Sequence, residues 1–363
     1  MGIIYKFIYK AFVFLNCNLR QVDNKITFIF NKTSKEYLNL DFLYEYFYSK
    51  SNNAILVKIQ SNRNCLNKIW WISQSKIIFV DQADRIISRL TLDKKTKLIQ
   101  VWHAGGAYKA FGFDAMRHYE DQAKELSRIS RIHGQYSNVI ISDAKLIDIM
   151  TKAYNIQSDK LLPLGLPRTD MFFKLKNKKQ IKNEIKNSFK LKEKTKIILY
   201  CPTFRTSNNK RNINLNYLNI VQNSTKKVFQ NSVILYRDHP SVIRDGYAYG
   251  DGIIDVSRYT NITDLFIISD FLITDYSSII FDYSFFKKPI ILFTPDIDTY
   301  VIENRKLYFQ PEELVGKNMV AKDFNTLTQC ILNAEYTGKL WDNFMGGCDG
   351  QVCEKIYDYF CKN

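Results

Sequence analysis

The stretch from Phe266 to Phe293 constrains the fold of this chain more than any other part of the sequence. Its apolar runs predict a short buried strand from Phe271 to Ile273 and another from Ile290 to Phe293, separated by a polar elbow and a helix. Serine and aspartate in the elbow favour a helix start, where free N–H groups attract anions. Such a unit predicts a parallel α/β sheet, in which nucleotides bind at the elbow. Ordinary helix capping without a ligand explains the same residues as well.

Size and charge limit the kind of protein this chain can be. With 363 residues, 46% of them hydrophobic, it is long enough for two packed domains. It carries 52 Lys and Arg against 36 Asp and Glu, a net charge of +16 at pH 7. This excess favours acidic partners, namely nucleic acid, an anionic membrane surface or phosphate-rich substrates. A coding bias toward Lys, Asn and Ile explains part of the charge.

The spacing of cysteine and histidine argues against a protein-bound metal. The seven cysteines form no CxxC pair, and the four histidines form no HxxxH pair. We therefore expect no metal site built by the protein. The odd number and loose spacing of the cysteines suggest reduced thiols in a cytosolic protein.

Strand-like and helix-like runs alternate along the chain, which favours two parallel α/β domains with a cleft between them. Among these runs, strands are predicted from Lys196 to Cys201 and from Ile253 to Asp255, and a helix from Asp114 to Ile129. We place the first domain at residues 1–172 and the second at residues 173–363. A lysine-rich stretch from Phe172 to Lys196 is predicted to form one surface helix that joins them. Within the stretch Met1 to Leu15, one helical face carries the apolar residues Ile4, Phe7, Ile8, Ala11 and Leu15. Such a face is typical either of a helix lying on a membrane or of one packed on its own domain. The two lysines of this stretch make it unsuited to crossing a bilayer.

Four segments place polar or basic residues directly after predicted strands. The first is the glycine-rich turn Trp102-His103-Ala104-Gly105-Gly106-Ala107-Tyr108-Lys109, in which the histidine is suited to act as a general base near neutral pH. Backbone N–H groups in such a turn can approach an anion closely. A capping or core histidine is the competing interpretation.

The other three segments add cations and hydroxyls at strand ends. A guanidinium binds phosphate through its planar fork, and Arg and His two residues apart on a strand point the same way. Each segment alone is equally consistent with a structural turn or a surface charge. Together they predict a nucleotide-dependent transferase whose site lies at several strand ends. Their key residues are Arg168, Thr203, Arg205, Arg237 and His239.

These segments, in this order, resemble the CDP-glycerol glycerophosphotransferase family, which comprises teichoic-acid primases and polymerases with relatives in capsule synthesis. The resemblance covers roughly residues 75 to 360. Its motifs are Trp102 to Lys109, Gly165 to Asp170, Tyr200 to Arg205, Arg237 to Pro240, Asp255 to Ser257 with Tyr259, Ile273 to Asp282, Pro295 to Tyr300 and Asp349-Gly350.

The resemblance implies a GT-B-like α/β fold of two Rossmann-type domains facing across a cleft, with the last helix returning to the first domain. It implies transfer of a polyol phosphate from a CDP-activated donor to an acceptor hydroxyl, with release of CMP. By the same resemblance, His103 would deprotonate the acceptor, and Arg237 and His239 would steady charge on the pyrophosphate. The residues expected to hold the donor or its phosphates are Gly105, Gly106, Lys109, Arg168, Thr203, Arg205, Thr274, Asp275, Ser277, Ser278 and Asp282.

One motif departs from the commoner family form. That form has His-Gly-Thr-Pro where this chain has His103-Ala104-Gly105-Gly106, a variant that the family also contains among ribitol-phosphate and capsule enzymes. The donor is therefore expected to be CDP-glycerol or CDP-ribitol. The choice between priming and polymerising stays open.

The implied partners are a lipid-linked or oligomeric phosphate or glycan acceptor and an anionic membrane surface. They place the protein in the cytoplasm, peripherally on the inner face of the cell membrane. Two other functions stay open: a GT-B glycosyltransferase that uses a nucleotide sugar, and a non-catalytic, membrane-docked subunit of a capsule complex. Nucleic-acid binding is disfavoured because the chain has no recognisable nucleic-acid-binding module.

Overall fold

A computed structural model describes residues 2–18, 25–30, 39–50, 55–60, 65–118, 121–207, 210–212, 214–239, 242 and 249–362. The chain divides into two compact units. Unit 1 comprises Met1–Gly106, Phe111–Lys174 and Met345–Asn363, and unit 2 comprises Ala107–Ala110 and Leu175–Phe344. The C-terminal stretch thus belongs to unit 1, and a short segment of the glycine-rich turn belongs to unit 2.

Unit 1 is built on a parallel sheet. Its described strands are β1 (Lys25–Phe30), β2 (Ile55–Gln60), β3 (Ile77–Val80), β4 (Lys97–Gln100), β5 (Tyr136–Ile140) and β6 (Leu161–Leu162). They lie in the order β2-β1-β3-β4-β5-β6. The order reverses between β1 and β3, and ligands of open α/β sheets bind beyond the carboxyl ends of the strands near such a point. The described helices in the N-terminal part of this unit are α1 (Gly2–Asn18), α2 (Asn39–Lys50), α3 (Cys65–Ser73), α4 (Gln122–His133), α5 (Ile147–Tyr154) and α6 (Asp170–Lys174).

The core of unit 1 is aromatic and aliphatic. Every residue of β1 is buried, because a parallel sheet is covered on both faces and its strands are apolar over most of their length. The Phe28 ring lies 5.1 Å from that of Phe79 on β3 and 5.5 Å from that of Phe47 on α2, measured between centroids. Burying each ring contributes about 1.5–3 kcal/mol before the entropy of ordering is subtracted. This packing fixes the strand ends from which the site residues of unit 1 project.

Unit 2 repeats the plan with a different strand order. Its described strands are β7 (Lys196–Cys201), β8 (Arg205–Ser207), β9 (Lys210–Asn212), β10 (Ser232–Tyr236), β11 (Ile253–Asp255), β12 (Phe271–Thr274), β13 (Ile290–Phe293) and β14 (Val320–Ala321). Six of them form a parallel sheet in the order β11-β10-β7-β12-β13-β14, while β8 and β9 form an antiparallel hairpin. This is the Rossmann order, whose switch point lies between β7 and β12. The described helices are α7 (Lys178–Ser188), α8 (Leu215–Val228), α9 (Ile262–Ile268), α10 (Ile279–Tyr283), α11 (Ile297–Glu303), α12 (Pro311–Val315), α13 (Phe324–Leu332) and α14 (Lys339–Phe344).

The C-terminal helix α15 (Val352–Cys361) belongs to unit 1. Asp170, far away in the sequence, caps its first turn: the two carboxylate oxygens accept the N–H groups of Val352 and Cys353 at 2.9 Å each. A carboxylate at this end of a helix also has a favourable charge. Asp170 thereby joins α15 to the loop that precedes α6.

Two predicted helices differ from those in the structure. The single helix from Phe172 to Lys196 is wrong, because α6 and α7 are separate and Asn177 lies between them in a left-handed conformation (φ 59°). The helix predicted from Asp114 to Ile129 is also wrong as one element. It consists of a 3-10 helix, Gly112–His118, and the first part of α4. Residues 119 and 120 lie outside the described part of the chain.

Candidate functional site

In unit 1, the predicted base His103 lies just beyond the end of β4. The preceding Trp102 has a left-handed conformation (φ 54°), and His103 is exposed. The two rings lie 4.2 Å apart, and His103 Nδ1 lies 3.3 Å from the Asp81 carbonyl oxygen. This contact favours the tautomer with its proton on Nδ1, which puts the basic lone pair on Nε2. The arrangement suits proton abstraction by an exposed imidazole.

Two side chains hold the turn around His103. Arg168 Nη1 donates to the His103 carbonyl oxygen at 3.0 Å. Asn39, at the start of α2, donates to the Trp102 carbonyl oxygen at 2.9 Å and accepts the Arg168 N–H at 3.1 Å. The structure thus brings Arg168 beside the predicted base, with its guanidinium on the backbone. Sequence reasoning missed Asn39, because its partners lie 63 and 129 residues away along the chain.

The glycine-rich turn passes from unit 1 into unit 2. Gly105 and Gly106 are buried, and Gly106 (φ 55°) donates its N–H to the Ser142 hydroxyl at 3.1 Å. The protein itself therefore satisfies that N–H group. Lys109 belongs to unit 2, where it pairs with Leu307 in an isolated antiparallel bridge. The predicted phosphate-binding turn is thus divided between the two units.

The switch point of unit 2 joins three predicted site residues. Thr203 follows β7, and Asp275 follows the neighbouring strand β12. One carboxylate oxygen of Asp275 accepts the N–H groups of Thr203 and Tyr276, at 2.9 and 2.6 Å. The other lies 3.0 Å from the Arg205 guanidinium. Asp275, which is buried, therefore ties the two strand ends together.

Arg205 is held by carboxylates. Its guanidinium forms a bidentate pair with Asp296, with N–O distances of 2.7 and 3.0 Å. Its central carbon lies 5.0 Å from the Tyr276 ring centroid and 4.8 Å from that of Tyr300. Burial opposes the charge, but Asp275 and Asp296 outweigh burial and raise the pKa of Arg205 above its ordinary value. Because two carboxylates face it, Arg205 leaves the site little net positive charge for a phosphate.

Lys109 is a different kind of cation. Burial and then repulsion from Arg305 lower its pKa to about 8, with Asp275 opposing them. A lysine whose charge is opposed by burial and by nearby arginines would be stabilised in its charged form by a nearby anion. Lys109 is therefore better suited than Arg205 to contact a phosphate directly.

Arg237 and His239 follow β10 but have different surroundings. Arg237 is buried, and its Nη1 donates to the carbonyl oxygens of Val256 and Tyr259 at 3.0 and 2.6 Å. His239 is exposed. Pro240, the last residue of this motif, lies outside the described residues. The structure therefore places both predicted residues at one strand end, with only the histidine side chain at the surface.

The elbow after β12 is stabilised by its own hydroxyls. Thr274 donates to the Cys201 carbonyl oxygen at 2.5 Å, which ties the ends of β12 and β7 together. Ser277 accepts the Ile279 N–H at 3.3 Å in the turn before α10. Ser278, the residue that directly precedes the helix, makes no side-chain cap, so the predicted capping by serine and aspartate is wrong, and Asp275 instead links two strands. The partly buried residues here are Ser277, Ser278 and Asp282.

Thr203, Thr294 and Tyr108 of unit 2 each carry a buried hydroxyl group with no hydrogen-bond partner among the described residues. Each of the three residues is at most 6% exposed. Thr203 and Thr294 follow β7 and β13, and the Tyr108 ring lies 6.4 Å from that of Tyr276. Buried polar groups are almost always paired. Their concentration at the carboxyl edge of this sheet is what a bound, oxygen-rich ligand would explain.

Of these three residues, only Thr203 is among the site residues predicted from the sequence. Tyr108 stands inside the glycine-rich motif, so its position was available as a signal, but nothing in the sequence says that its hydroxyl is buried. Thr294 directly follows a predicted strand, as Thr203 nearly does. A search of every strand end for hydroxyl residues would have found it.

In the part of the chain that the structure describes, no group of three or more His, Cys, Asp or Glu side chains is arranged to hold a metal ion. No described helix combines the length and the apolarity needed to cross a bilayer.

Comparison with solved structures identifies the fold. The wall teichoic acid polymerase TagF superposes with a TM-score of 0.74 at 24% identity, over 99% of this chain and 98% of that one. The predicted α/β, GT-B-like fold class is thereby confirmed.

Comparison with curated proteins points the same way. The teichoic acid poly(ribitol-phosphate) polymerase of Bacillus spizizenii is 28% identical over 98% of this chain, and the teichoic acid ribitol-phosphate primase of that organism is 32% identical over 73%. The teichoic acid glycerol-phosphate primase of Bacillus subtilis is 30% identical over 68% of this chain. The chain spans 58%, 69% and 63% of the lengths of these three relatives. Residues 3–362 match the family described as CDP-Glycerol:Poly(glycerophosphate) glycerophosphotransferase, and the chain belongs to that family.

Proposed function

We propose that the chain transfers a polyol phosphate, glycerol phosphate or ribitol phosphate, from a CDP-activated donor to an acceptor hydroxyl during synthesis of a teichoic-acid-like or capsular polymer. The acceptor oxygen forms a new bond to the polyol-bearing phosphorus. The bond between that phosphorus and the bridging oxygen of the pyrophosphate breaks, and CMP leaves. The observation that carries the proposal is the carboxyl edge of the sheet of unit 2, where the unpartnered buried hydroxyls of Thr203, Thr294 and Tyr108 lie in a chain of this family.

The donor, in this proposal, occupies the carboxyl edge of the second sheet. Thr203, Thr294 and Tyr108 donate hydrogen bonds to its oxygens, and Lys109 supplies positive charge. Phosphoryl transfer depends mainly on positioning and on stabilising charge, so groups of this kind are sufficient in chemical type. Asp275 and Arg205 hold the edge in shape rather than meeting the phosphate. CDP-polyol is a substrate here, and the proposal includes no cofactor.

The acceptor, in the same proposal, is deprotonated by His103. The contact of Nδ1 with the Asp81 carbonyl oxygen supports this role, because it leaves the basic lone pair on Nε2. The proton from the acceptor hydroxyl moves to that nitrogen as the new bond to phosphorus forms. Arg237 and His239 are proposed to stabilise the charge that develops on the departing CMP.

The reaction is tested with purified protein and an oligomeric phosphate acceptor. CDP-glycerol and CDP-ribitol are supplied separately, and CMP is measured against a His103→Ala variant. Release from one donor, with a fall of roughly 100- to 10,000-fold in the variant, is expected because a lost general base has about that effect. CMP release that His103→Ala leaves unchanged would contradict the role of this residue. Turnover of a UDP-sugar and of neither CDP-polyol would favour the nucleotide-sugar transferase.

We also propose that α1 docks unit 1 on the anionic inner face of the cell membrane. One face of this helix packs on the protein: the Tyr9 hydroxyl accepts the Asp93 N–H at 2.9 Å, and Phe12 meets Trp70 edge to face. The opposite face carries an exposed apolar stripe, with Lys6 and Lys10 exposed beside it. An apolar face with flanking lysines is typical of helices that lie in a membrane interface. The stripe consists of Ile3, Ile4, Phe7, Ala11, Phe14 and Leu15.

Vesicle sedimentation tests the docking proposal. Wild-type protein is expected to bind vesicles rich in phosphatidylglycerol, and added salt should weaken that binding because it screens the lysines. Replacing both exposed rings, Phe7→Ser with Phe14→Ser, should release the protein. Tyr48→Ser on α2, which removes an equally exposed aromatic ring of the same unit, is the matched control. Binding to neutral vesicles that salt does not change would contradict the proposal.

A further inference from the structure

The backbone around His103 has a conformation that its surroundings must enforce. Trp102 has φ 54°, a left-handed value that is sparsely populated by any residue other than glycine and persists only where neighbouring groups hold it. Its N–H donates to the Gln100 side-chain oxygen at 2.9 Å. Gln100 in turn donates to the Tyr136 hydroxyl at 3.0 Å. A side chain, rather than the backbone of a neighbouring strand, therefore accepts the Trp102 N–H.

Asn39 is the second side chain on this turn, and it uses both ends of its amide. Its Nδ2 donates to the Trp102 carbonyl oxygen at 2.9 Å, and its Oδ1 accepts the Arg168 N–H at 3.1 Å. Asn39 is fully buried. A single amide thus joins the Trp102–His103 turn to the loop that carries Arg168.

Arg168 binds the backbone of this turn at His103 itself. Its Nη1 donates to the His103 carbonyl oxygen at 3.0 Å, so the residue before His103 and His103 itself are both tied to the same loop. That loop is anchored in turn, because Asp170 caps α15 and the Leu166 N–H donates to Cys348 Sγ at 3.3 Å. The C-terminal segment therefore supports the backbone of the predicted base from a distance.

We infer that Asn39 is a positioning residue for the proposed reaction: by clamping the Trp102 carbonyl and the Arg168 N–H, it fixes the orientation of the His103 imidazole. The inference rests on the proposed role of His103 as the base. Asn39 touches neither His103 nor a reacting atom, and it acts through the backbone. A small misplacement of a catalytic group is enough to lower the rate greatly while leaving donor binding intact.

Asn39→Asp is the sharpest variant. It keeps an oxygen that accepts the Arg168 N–H, but it places an acceptor where Nδ2 donated to the Trp102 carbonyl oxygen. Thr27→Val is the matched control, because it removes an equally buried side-chain hydrogen bond of unit 1, 2.6 Å long, between Thr27 and Ser75. We expect kcat to fall roughly tenfold to a hundredfold in Asn39→Asp, with KM for the donor unchanged. The control should keep the wild-type kcat.

A second readout does not depend on turnover. The imidazole signal of His103, one of four histidines, is followed by NMR as pH is varied in the free protein and is assigned by its loss in His103→Gln. Its titration curve should shift in Asn39→Leu, which removes both hydrogen bonds without adding a charge beside the imidazole, and stay in place in Thr27→Val. A folded Asn39→Leu with the wild-type titration curve, or a folded Asn39→Asp with the wild-type kcat, would overturn the inference, as would a rise in KM alone.

The two proposals fail in different ways. If wild-type protein turns over no CDP-polyol, the proposed function fails, and the His103 titration still decides whether Asn39 positions the imidazole. If Asn39→Asp does not fold, Asn39→Gln carries the test, since its longer side chain displaces the amide from the Trp102 carbonyl oxygen and the Arg168 N–H without adding a charge. An unshifted His103 titration in folded Asn39→Gln would then overturn the clamp.

Discussion

Arg205 and Lys109 carry the same charge at the same edge of unit 2, but their surroundings give them different uses. Arg205 lies against Asp275 and Asp296, which hold its charge and its position. Lys109 lies among other cations and has a pKa of about 8. A residue whose charge is matched within the protein stabilises the fold, and one whose charge is poorly supported favours an incoming anion.

Raising the pH through 8 is expected to weaken donor binding. Lys109 loses its proton above a pKa of about 8, although a bound phosphate would move that value upward. The KM for CDP-polyol should rise severalfold between about pH 7 and pH 10, whereas Lys109→Arg, which stays charged, should show a flat profile. The free energy of unfolding should increase over the same range, because the unfolded lysine binds more protons there than the folded one. A wild-type KM that does not change with pH would contradict phosphate binding by Lys109.

Removing the Arg205 side chain is expected to destabilise unit 2. In Arg205→Met, Asp275 and Asp296 would stay largely buried without their counter-charge, and the free energy of unfolding should fall by about 3–5 kcal/mol. Urea denaturation measures the change. Arg128→Met, which breaks a helix ion pair with Glu125, should cost about 1 kcal/mol. Equal losses in the two variants would mean that the Arg205 network adds no special stability.

At the scale of elements, two glycines bring the C-terminal segment against the loop after β6. Gly165 has φ 101°, and a Cβ placed there would lie 2.4 Å from the Gly347 carbonyl oxygen. A Cβ on Gly347 would in turn lie 2.7 Å from the Gly165 nitrogen. The two backbones can therefore approach only because neither residue has a side chain. This contact lies next to the loop that carries Arg168.

Gly165→Ala is therefore expected to lower the free energy of unfolding by about 2–4 kcal/mol, since it combines a backbone clash with a strained φ. Gly250→Ala is the matched control, because a methyl group at that position would meet nothing within 4 Å and the φ of Gly250 is ordinary. The control should change stability by less than about 0.5 kcal/mol. Thermal or urea unfolding of the two variants and of the wild type measures these changes in the free energy of unfolding.

Elements that are fixed by local pattern could be predicted from the sequence. The strands Lys196–Cys201, Ile253–Asp255 and Ile290–Phe293 have the predicted bounds, because short apolar runs rich in β-branched residues end at polar residues. The lysine-rich helix was wrong, since its helical periodicity continues across Asn177, whose left-handed conformation the pattern does not encode. The strand order of each sheet is likewise set by long-range packing.

The candidate site likewise contains some features that could be predicted from the sequence and others that could not. Residues at strand ends, such as Thr203 and Asp275, could be predicted because parallel strands present their carboxyl ends at one edge. The contacts that the site residues make could not be predicted. Asp296 pairs with Arg205 from 91 residues away along the chain, and Asn39 accepts the Arg168 N–H from 129 residues away. Such pairings depend on the folded backbone, and no local spacing of residues in the sequence predicts them.

At the scale of the whole molecule, the charge of the chain fits the proposed function. A net charge of +16 would favour binding of the proposed CDP-activated donor, polyanionic product and anionic membrane surface. The proposed tasks fall to different parts of the chain: His103 and α1 belong to unit 1, and the unpartnered hydroxyls with Lys109 belong to unit 2. Losses among the unpartnered hydroxyls and Lys109 should therefore appear mainly in donor KM, and losses around His103 mainly in kcat.

The central claim is transfer of a polyol phosphate, and ³¹P NMR of the reaction tests it most directly. With CDP-glycerol or CDP-ribitol and an oligomeric phosphate acceptor, the pyrophosphate signals of one donor should disappear. Equal amounts of CMP monoester and new phosphodiester should replace them, and both should be lost in folded His103→Ala. Folded wild-type protein that consumes neither donor, or that forms CMP without the phosphodiester, would contradict the account.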